Sequence, residues 1–183
     1  QDKQWHRWYR CSLCEQQYHG VVYCALGWAC WKTYLGRPES DWARQSAMTE
    51  LGNGLSEAEH HEDALSVKEV KLSMERRLGA DEEDLLITQG NIANSYGQLG
   101  RHEQDLSLRR DVYSGWLKLK GEEHDDTFRE AENYANSLTR LQRFEEAKTL
   151  MRRMIPVARR VAGECNEASL SMGLIYASAL FND

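Results

Sequence analysis

The chain has 183 residues, about one domain's worth, and its 41% apolar and 28% charged residues are the make-up of a soluble globular protein able to bury a core. Its 23 basic and 29 acidic side chains leave a net charge of −6, which argues against nucleic acid or an anionic membrane as a partner held by bulk electrostatics. The most apolar run, Val21 to Trp31, spans 11 residues, whereas a membrane span takes about 20, so no direct span is expected.

Spacing organises the rest of the chain. Gly79, Gly121 and Gly163 recur at intervals of 42, and so do Ala93, Ala135 and Ala177. A fixed period near 40 without a Gly/Pro-rich linker predicts an all-α solenoid, in which each unit buries its apolar face against its neighbours. Residues 1–19 read as an irregular or zinc-finger-like segment, and residues 20–183 as the repeat array.

In chain order, the first residues carry no charged-then-apolar leader, and Gln1 in place of Met is expected of a fragment or a processed product. The five cysteines are odd in number and four cluster early, which suits a reducing, intracellular and cytoplasmic setting, with organelle targeting left open by the N-terminus. Cys11-x2-Cys14-x4-His19-x4-Cys24 has zinc-knuckle spacing, but Tyr18 and the two valines after Gly20 are bulky for so tight a turn. Cys24 and Cys30, six residues apart, differ by about 600° and about 9 Å on a helix and point apart. A third reading follows from the period, because Tyr18 precedes Gly36 by 18 residues as His61 precedes Gly79. The segment from Gly20 to Asp41 is then the second helix of an incomplete unit, with Cys24 and Cys30 as small buried hydrophobes. A redox dithiol at Cys11 and Cys14 has no preceding strand and no helix N-terminus to lower its pKa.

The first full unit includes TELGNGLSEAEHHEDALSV from Thr49, one residue out of register with the others. In the second, Leu86, Gln89, Ala93 and Tyr96 stripe the first helix, and Leu108, Val112, Trp116 and Leu119 the second. The third has Phe128, Ala131, Ala135 and Leu138, then Ala147, Leu150, Met154, Val157 and Val161. Pro156 removes a backbone donor and is expected to kink that last helix near Arg152. The end, IYASALFND, starts a further copy and leaves Leu180 and Phe181 on an open apolar end, to be capped by further sequence, a second copy or another protein.

The stretches GRHEQDLSL and QRFEEAKTL, with GEEHDDTF after a long second helix, resemble the 42-residue tetratricopeptide repeats of the kinesin light chain type, over roughly Ser40 to Asp183. That resemblance implies a right-handed α-solenoid of stacked helix-turn-helix repeats, about three full units with partial ends. Asp105 departs from it, standing where the pattern prefers Ala. RCSLCEQQYHG resembles the closing part of a RING-CH zinc finger, a Cys-x2-Cys pair followed by Tyr and Gly, with Trp5 or Trp8 as the upstream Trp. The resemblance makes Cys11 and Cys14 metal ligands of an incomplete site. Two thiolates do not close a four-ligand zinc site, so no cofactor is expected unless the missing ligands are supplied.

No phosphate-binding Gly-rich loop, His-Glu-x-x-His or Gly-x-Ser-x-Gly occurs, so the chain is not expected to be an enzyme. The acidic clusters at Asp81 and after Gly121 read as helix caps, and His61 and His102 take the place that Phe144 has in the third unit. Binding is expected on the concave face lined by first helices. There Asn53, Asn94 and Asn136 share one register, continued by Ser178, while Asn91 and Asn133 form a second column and Gln98 and Arg140 a third. Primary amides donate and accept, and would grip the backbone of an extended peptide or protein segment, with Arg140 favouring an acidic one. The same asparagines would equally serve bonds within a helix pair. The basic run Arg152, Arg153, Arg159 and Arg160 offers a second surface. The expected function is a protein-interaction scaffold. The alternatives are the substrate-recruiting part of a RING-CH-type ubiquitin ligase and a structural subunit of a larger complex.

Overall fold

In the computed structural model, residues 5–182 are described, and among them eight α-helices follow a short 3-10 turn at Trp5–Trp8. They are α1 (Gly20–Tyr34), α2 (Trp42–Glu57), α3 (His61–Leu78), α4 (Glu82–Gln98), α5 (His102–Lys120), α6 (Asp125–Arg140), α7 (Phe144–Ala162) and α8 (Glu167–Phe181). The glycines that set the period are the residues at which α3, α5 and α7 stop. Gly79 takes φ 70° and ψ 39°, a left-handed conformation open to glycine without a Cβ clash, and its N–H returns to the carbonyls of Glu75 and Arg76. Gly121 and Gly163 also have positive φ, and their carbonyls accept hydrogen bonds from Thr127 and Ser169, which hold equivalent places at the start of the next helix. The acidic clusters do open helices, Asp81 preceding Glu82–Asp84 at α4 and His124 preceding Asp125 and Asp126 at α6.

The architecture is an all-α solenoid of helix-turn-helix repeats, with three pairs in sequence between α1 and α8. Packing divides the chain into two compact units, Gln1–Leu99 and Gly100–Asp183. In the first, α1 packs on α2, α2 on α3 and α3 on α4. In the second, α5 packs on α6, α6 on α7 and α7 on α8, while α6 also meets α8. The second core is built around Tyr113, Phe128, Met151, Met154 and Met172; the predicted stripes of α6 and α7 contribute Phe128, Ala131, Ala135, Met154 and Val157 to it, whereas Tyr113, Met151 and Met172 lie outside those stripes. Leu138 and Ala147 join a separate cluster with Leu106 and Ala179, and Leu119 and Val161 are exposed, because each lies in the final turn of its helix, beyond the reach of the neighbouring one. Helix α7 continues through Pro156.

In the first unit the segment before α1 is fastened by aromatic rings. Trp5 lies 5.4 Å from Tyr34 and 5.2 Å from Trp42, and Trp8 packs with Cys30, Tyr34, Ala43 and Ala47. Helix α1 itself approaches α2 through two glycines. A Cβ on Gly27 would stand 2.8 Å from the Glu50 carbonyl oxygen, and one on Gly54 would stand 2.8 Å from the Tyr23 carbonyl oxygen. Each helix thus lays backbone directly on the glycine of the other.

The departure at Asp105 has a structural reason. Asp105, Arg109, Glu130 and Ser137 are all buried and form one network between α5 and α6. Arg109 bonds Asp105 at 3.3 Å and Glu130 at 3.1 Å, and the Ser137 hydroxyl donates to Asp105 at 2.5 Å. One period later the same four positions hold Ala147, Met151, Met172 and Ala179, each with no exposed surface. One repeat earlier, where α3 runs one residue out of register, the equivalent positions hold Ala64, Lys68, Thr88 and Ser95, between α3 and α4. There the Lys68 ammonium donates to the hydroxyls of Ser56 at 2.9 Å and Ser95 at 2.8 Å, and burial lowers its pKa to about 8.

A depressed lysine penalises the folded state wherever the ammonium is charged. The penalty is complete below the folded pKa of about 8 and fades as pH rises toward the ordinary value of 10.5, because the unfolded chain keeps its proton over that range. Lys68→Met is therefore expected to stabilise the first unit by up to about 3 kcal/mol at pH 7. In urea titrations the gain should shrink steadily between pH 8 and 10.5; a gain independent of pH would refute this account.

Candidate partner-binding site

The predicted polar columns lie on first helices, and the structure treats their members differently. In the first unit Asn53 on α2 is half-buried and hydrogen-bonds the Tyr23 hydroxyl of α1. The same hydroxyl donates to Glu50 at 2.7 Å, and burial raises the carboxyl pKa of Glu50 while the bonds from Tyr23 and Trp5 oppose that rise. On α4, Asn91 is half-buried, and Asn94 and Gln98 are exposed. In the second unit Asn133 is half-buried and donates to Glu130 at 3.3 Å, which ties it to the Arg109 network, whereas Asn136 and Arg140 on α6 and Ser178 on α8 are exposed. Asn53 and Asn133 thus serve internal bonds, and the exposed members of the columns are Asn94, Gln98, Asn136 and Arg140.

The other surface predicted from charge is occupied from within. Arg153 pairs with Glu122 and Arg160 with Glu123, each at 2.6 Å, and Arg152 donates to the Tyr176 hydroxyl at 3.0 Å. The acidic turn after Gly121 and most of the basic run on α7 therefore hold one another. The apolar stripe of α8 is open: Leu170 is 55% and Leu180 50% exposed, where the equivalent Phe128 and Leu138 of α6 are 2% and 1%. Sequence periodicity alone does not find a groove of about 540 Å³ in the first unit, lined by Trp31, Arg44, Met48, Val70, Met74 and Arg77. It forms where residues from α1, α2 and α3 meet, and the Arg77–Glu39 ion pair lies at its side.

Cys11 and Cys14 sit in a turn ahead of α1. The Cys11 pKa is lowered to about 7, first by the amide N–H of Cys14, then by that of Leu13 and by the Cys14 thiol. The donors come from the turn itself, with no strand or helix N-terminus involved. His19 instead faces Glu57 at 3.7 Å, and Cys24 packs against Leu51 and Leu55. Among the described residues no three His, Cys, Asp or Glu side chains converge as a metal would need. The pair present does not fit a closed four-donor zinc site. Burial pushes the Cys30 thiol up to about 12, in keeping with a packing role.

A family model described as tetratricopeptide repeat matches residues 131–164, the region of α6 and α7. Among solved structures, two crystal structures of the nearly identical TPR-like repeats of a Podosopora anserina protein described as a kinesin light chain, one of them of a Q17M variant, are similar over 88% of this chain and 75% of theirs. Both are 16% identical, with TM-scores of 0.72 and 0.71. The fold is that of tetratricopeptide repeats. BtubC (BKLC) from P. vanneervenii shares it at 18% identity and a TM-score of 0.64, over 86% of this chain and 63% of that one. No curated protein matches the chain in sequence. This repeat fold generally serves protein interaction. Among the described residues no helix is long and apolar enough to cross a membrane.

Proposed function

We propose that the chain is a protein-interaction scaffold without chemistry of its own, which holds an extended peptide through the solvent-facing polar residues of its first helices. The supporting observation is that one register places an exposed Asn in each unit, Asn94 and Asn136, with Gln98 and Arg140 exposed one turn further on. An amide beside a peptide backbone satisfies both its N–H and its C=O, and Arg140 adds a preference for acidic side chains. Asn53 and Asn133 are assigned a supporting part, since their amides already serve Tyr23 and Glu130.

The exposed apolar side chains Leu170 and Leu180 favour a second reading, a subunit seated in a larger assembly through α8. Peptide arrays and pull-downs with three variants separate the two. Asn94→Ala with Asn136→Ala is expected to weaken peptide retention by about tenfold, from two lost hydrogen bonds. Arg140→Ala should selectively lose acidic peptides. Full retention by the double Asn variant, with loss on Leu170→Glu, would replace the first reading by the second.

A further inference from the structure

The turn that carries Cys11 and Cys14 is closed by its own backbone. The Tyr18 N–H donates to Tyr9 at 2.9 Å, that of Cys11 to Gln16 at 2.8 Å and that of Glu15 to Cys11 at 3.0 Å, while Arg10 and Gln17 pair across the strand-like arms. Glu15, with φ 58°, reverses the chain directly after Cys14. With the Glu15 N–H on the Cys11 carbonyl, this closure makes a helix-like turn, which sets Cys11 and Cys14, three residues apart, on one side. The Cys14 thiol and the amides of Leu13 and Cys14 serve the Cys11 sulfur as donors. The tip is open to small molecules: Cys14 is exposed and Leu13 is 94% exposed. The other three thiols are placed differently: Cys30 is buried, Cys24 packs on α2 and Cys165 is exposed in the turn before α8.

We propose that Cys11 and Cys14 form a thiol–disulfide exchange site that reacts with low-molecular-weight disulfides of the glutathione class. The Cys11 sulfur attacks one sulfur of the oxidised glutathione, whose S–S bond breaks, and one glutathione leaves with the proton that Cys11 gave up. The Cys14 sulfur then attacks the Cys11 sulfur of the mixed disulfide, forming the Cys11–Cys14 bond and releasing the second glutathione with the Cys14 proton. Two protein thiols are oxidised and one small disulfide is reduced to two thiols. The turn needs little rearrangement, because its backbone bonds already hold the two residues together. The site is independent of the polar face on α4 and α6, so its failure leaves the binding proposal standing.

The test uses the whole chain, equilibrated in glutathione buffers of graded oxidation, quenched by alkylation and read by intact and peptide mass spectrometry. The expected result is loss of two hydrogens on one linked Cys11–Cys14 peptide, reversed by reduced glutathione. Cys14→Ser and Cys11→Ser should each accumulate a glutathione adduct on the cysteine that remains, because neither can resolve it to the internal disulfide. Helical circular dichroism equal to that of the parent shows that each variant is folded. Cysteines that stay free, adducts that form on both without resolving to a disulfide, or zinc retained on the pair against alkylation would each overturn the proposal.

Discussion

Arg109→Met alone is expected to destabilise the second unit by about 3–5 kcal/mol, because it strips the buried cation from two buried carboxylates and leaves Asp105 with the Ser137 hydroxyl and Glu130 with Asn133 and the half-exposed Arg129 at 3.8 Å. Urea denaturation reads the loss directly. The repeat supplies the control, since the junction one period later does without charge altogether. Changing all four residues to their later equivalents, Asp105→Ala, Arg109→Met, Glu130→Met and Ser137→Ala, should restore the parent stability or exceed it by about 1–4 kcal/mol. Such a contrast separates the loss from a broken network from the net worth of having one. If Arg109→Met alone proves neutral, the ion network does not hold α5 to α6.

The second large effect is expected where α1 meets α2. Gly27→Ala would put a methyl 2.8 Å from the Glu50 oxygen and 3.0 Å from the Leu51 Cα, and Gly54→Ala one 2.8 Å from the Tyr23 oxygen and 2.9 Å from the Cys24 Cα. These neighbours are backbone, so the helices must move apart. We expect each substitution to cost about 1–3 kcal/mol, net of the roughly 0.8–1 kcal/mol by which Ala favours a helix over Gly. The double variant should lose more than either and weaken the near-ultraviolet signal of the Trp5, Tyr34 and Trp42 rings, which depends on α1 holding its place. Gly173→Ala on α8 is the matched comparison, with no atom within 4 Å of the new methyl; it should stabilise by about 0.5–1 kcal/mol. A Gly27→Ala chain as stable as the Gly173→Ala one would refute the close approach.

Much of the architecture is legible in the sequence, because both of its causes are local. A helix of fixed pitch shows its buried side as a stripe, as Phe128, Ala131, Ala135 and Leu138 do on α6. A glycine such as Gly79 ends a helix because it alone takes a left-handed conformation without a clash. The polar columns are legible as registers, but a register does not say what its side chains touch. Asn53 and Asn94 occupy corresponding positions, yet Tyr23 of α1 reaches Asn53 only because two glycines let α1 lie so close to α2.

The sequence by itself determined the helical periodicity, the 42-residue repeat and the residues that stop the helices, since each depends on neighbours within a turn or two. Tertiary structure decided which polar residues are buried and how they are answered. Asp105 reads in isolation as a misfit for Ala, and becomes intelligible only when Arg109, Glu130 and Ser137 surround it, brought there by the stacking of α5 on α6. It likewise decided that the arginines of α7 serve Glu122, Glu123 and Tyr176. The physical reason is that a charge is stabilised by whatever lies within a few ångströms, and that neighbourhood is set by folding at sequence distances no local pattern records.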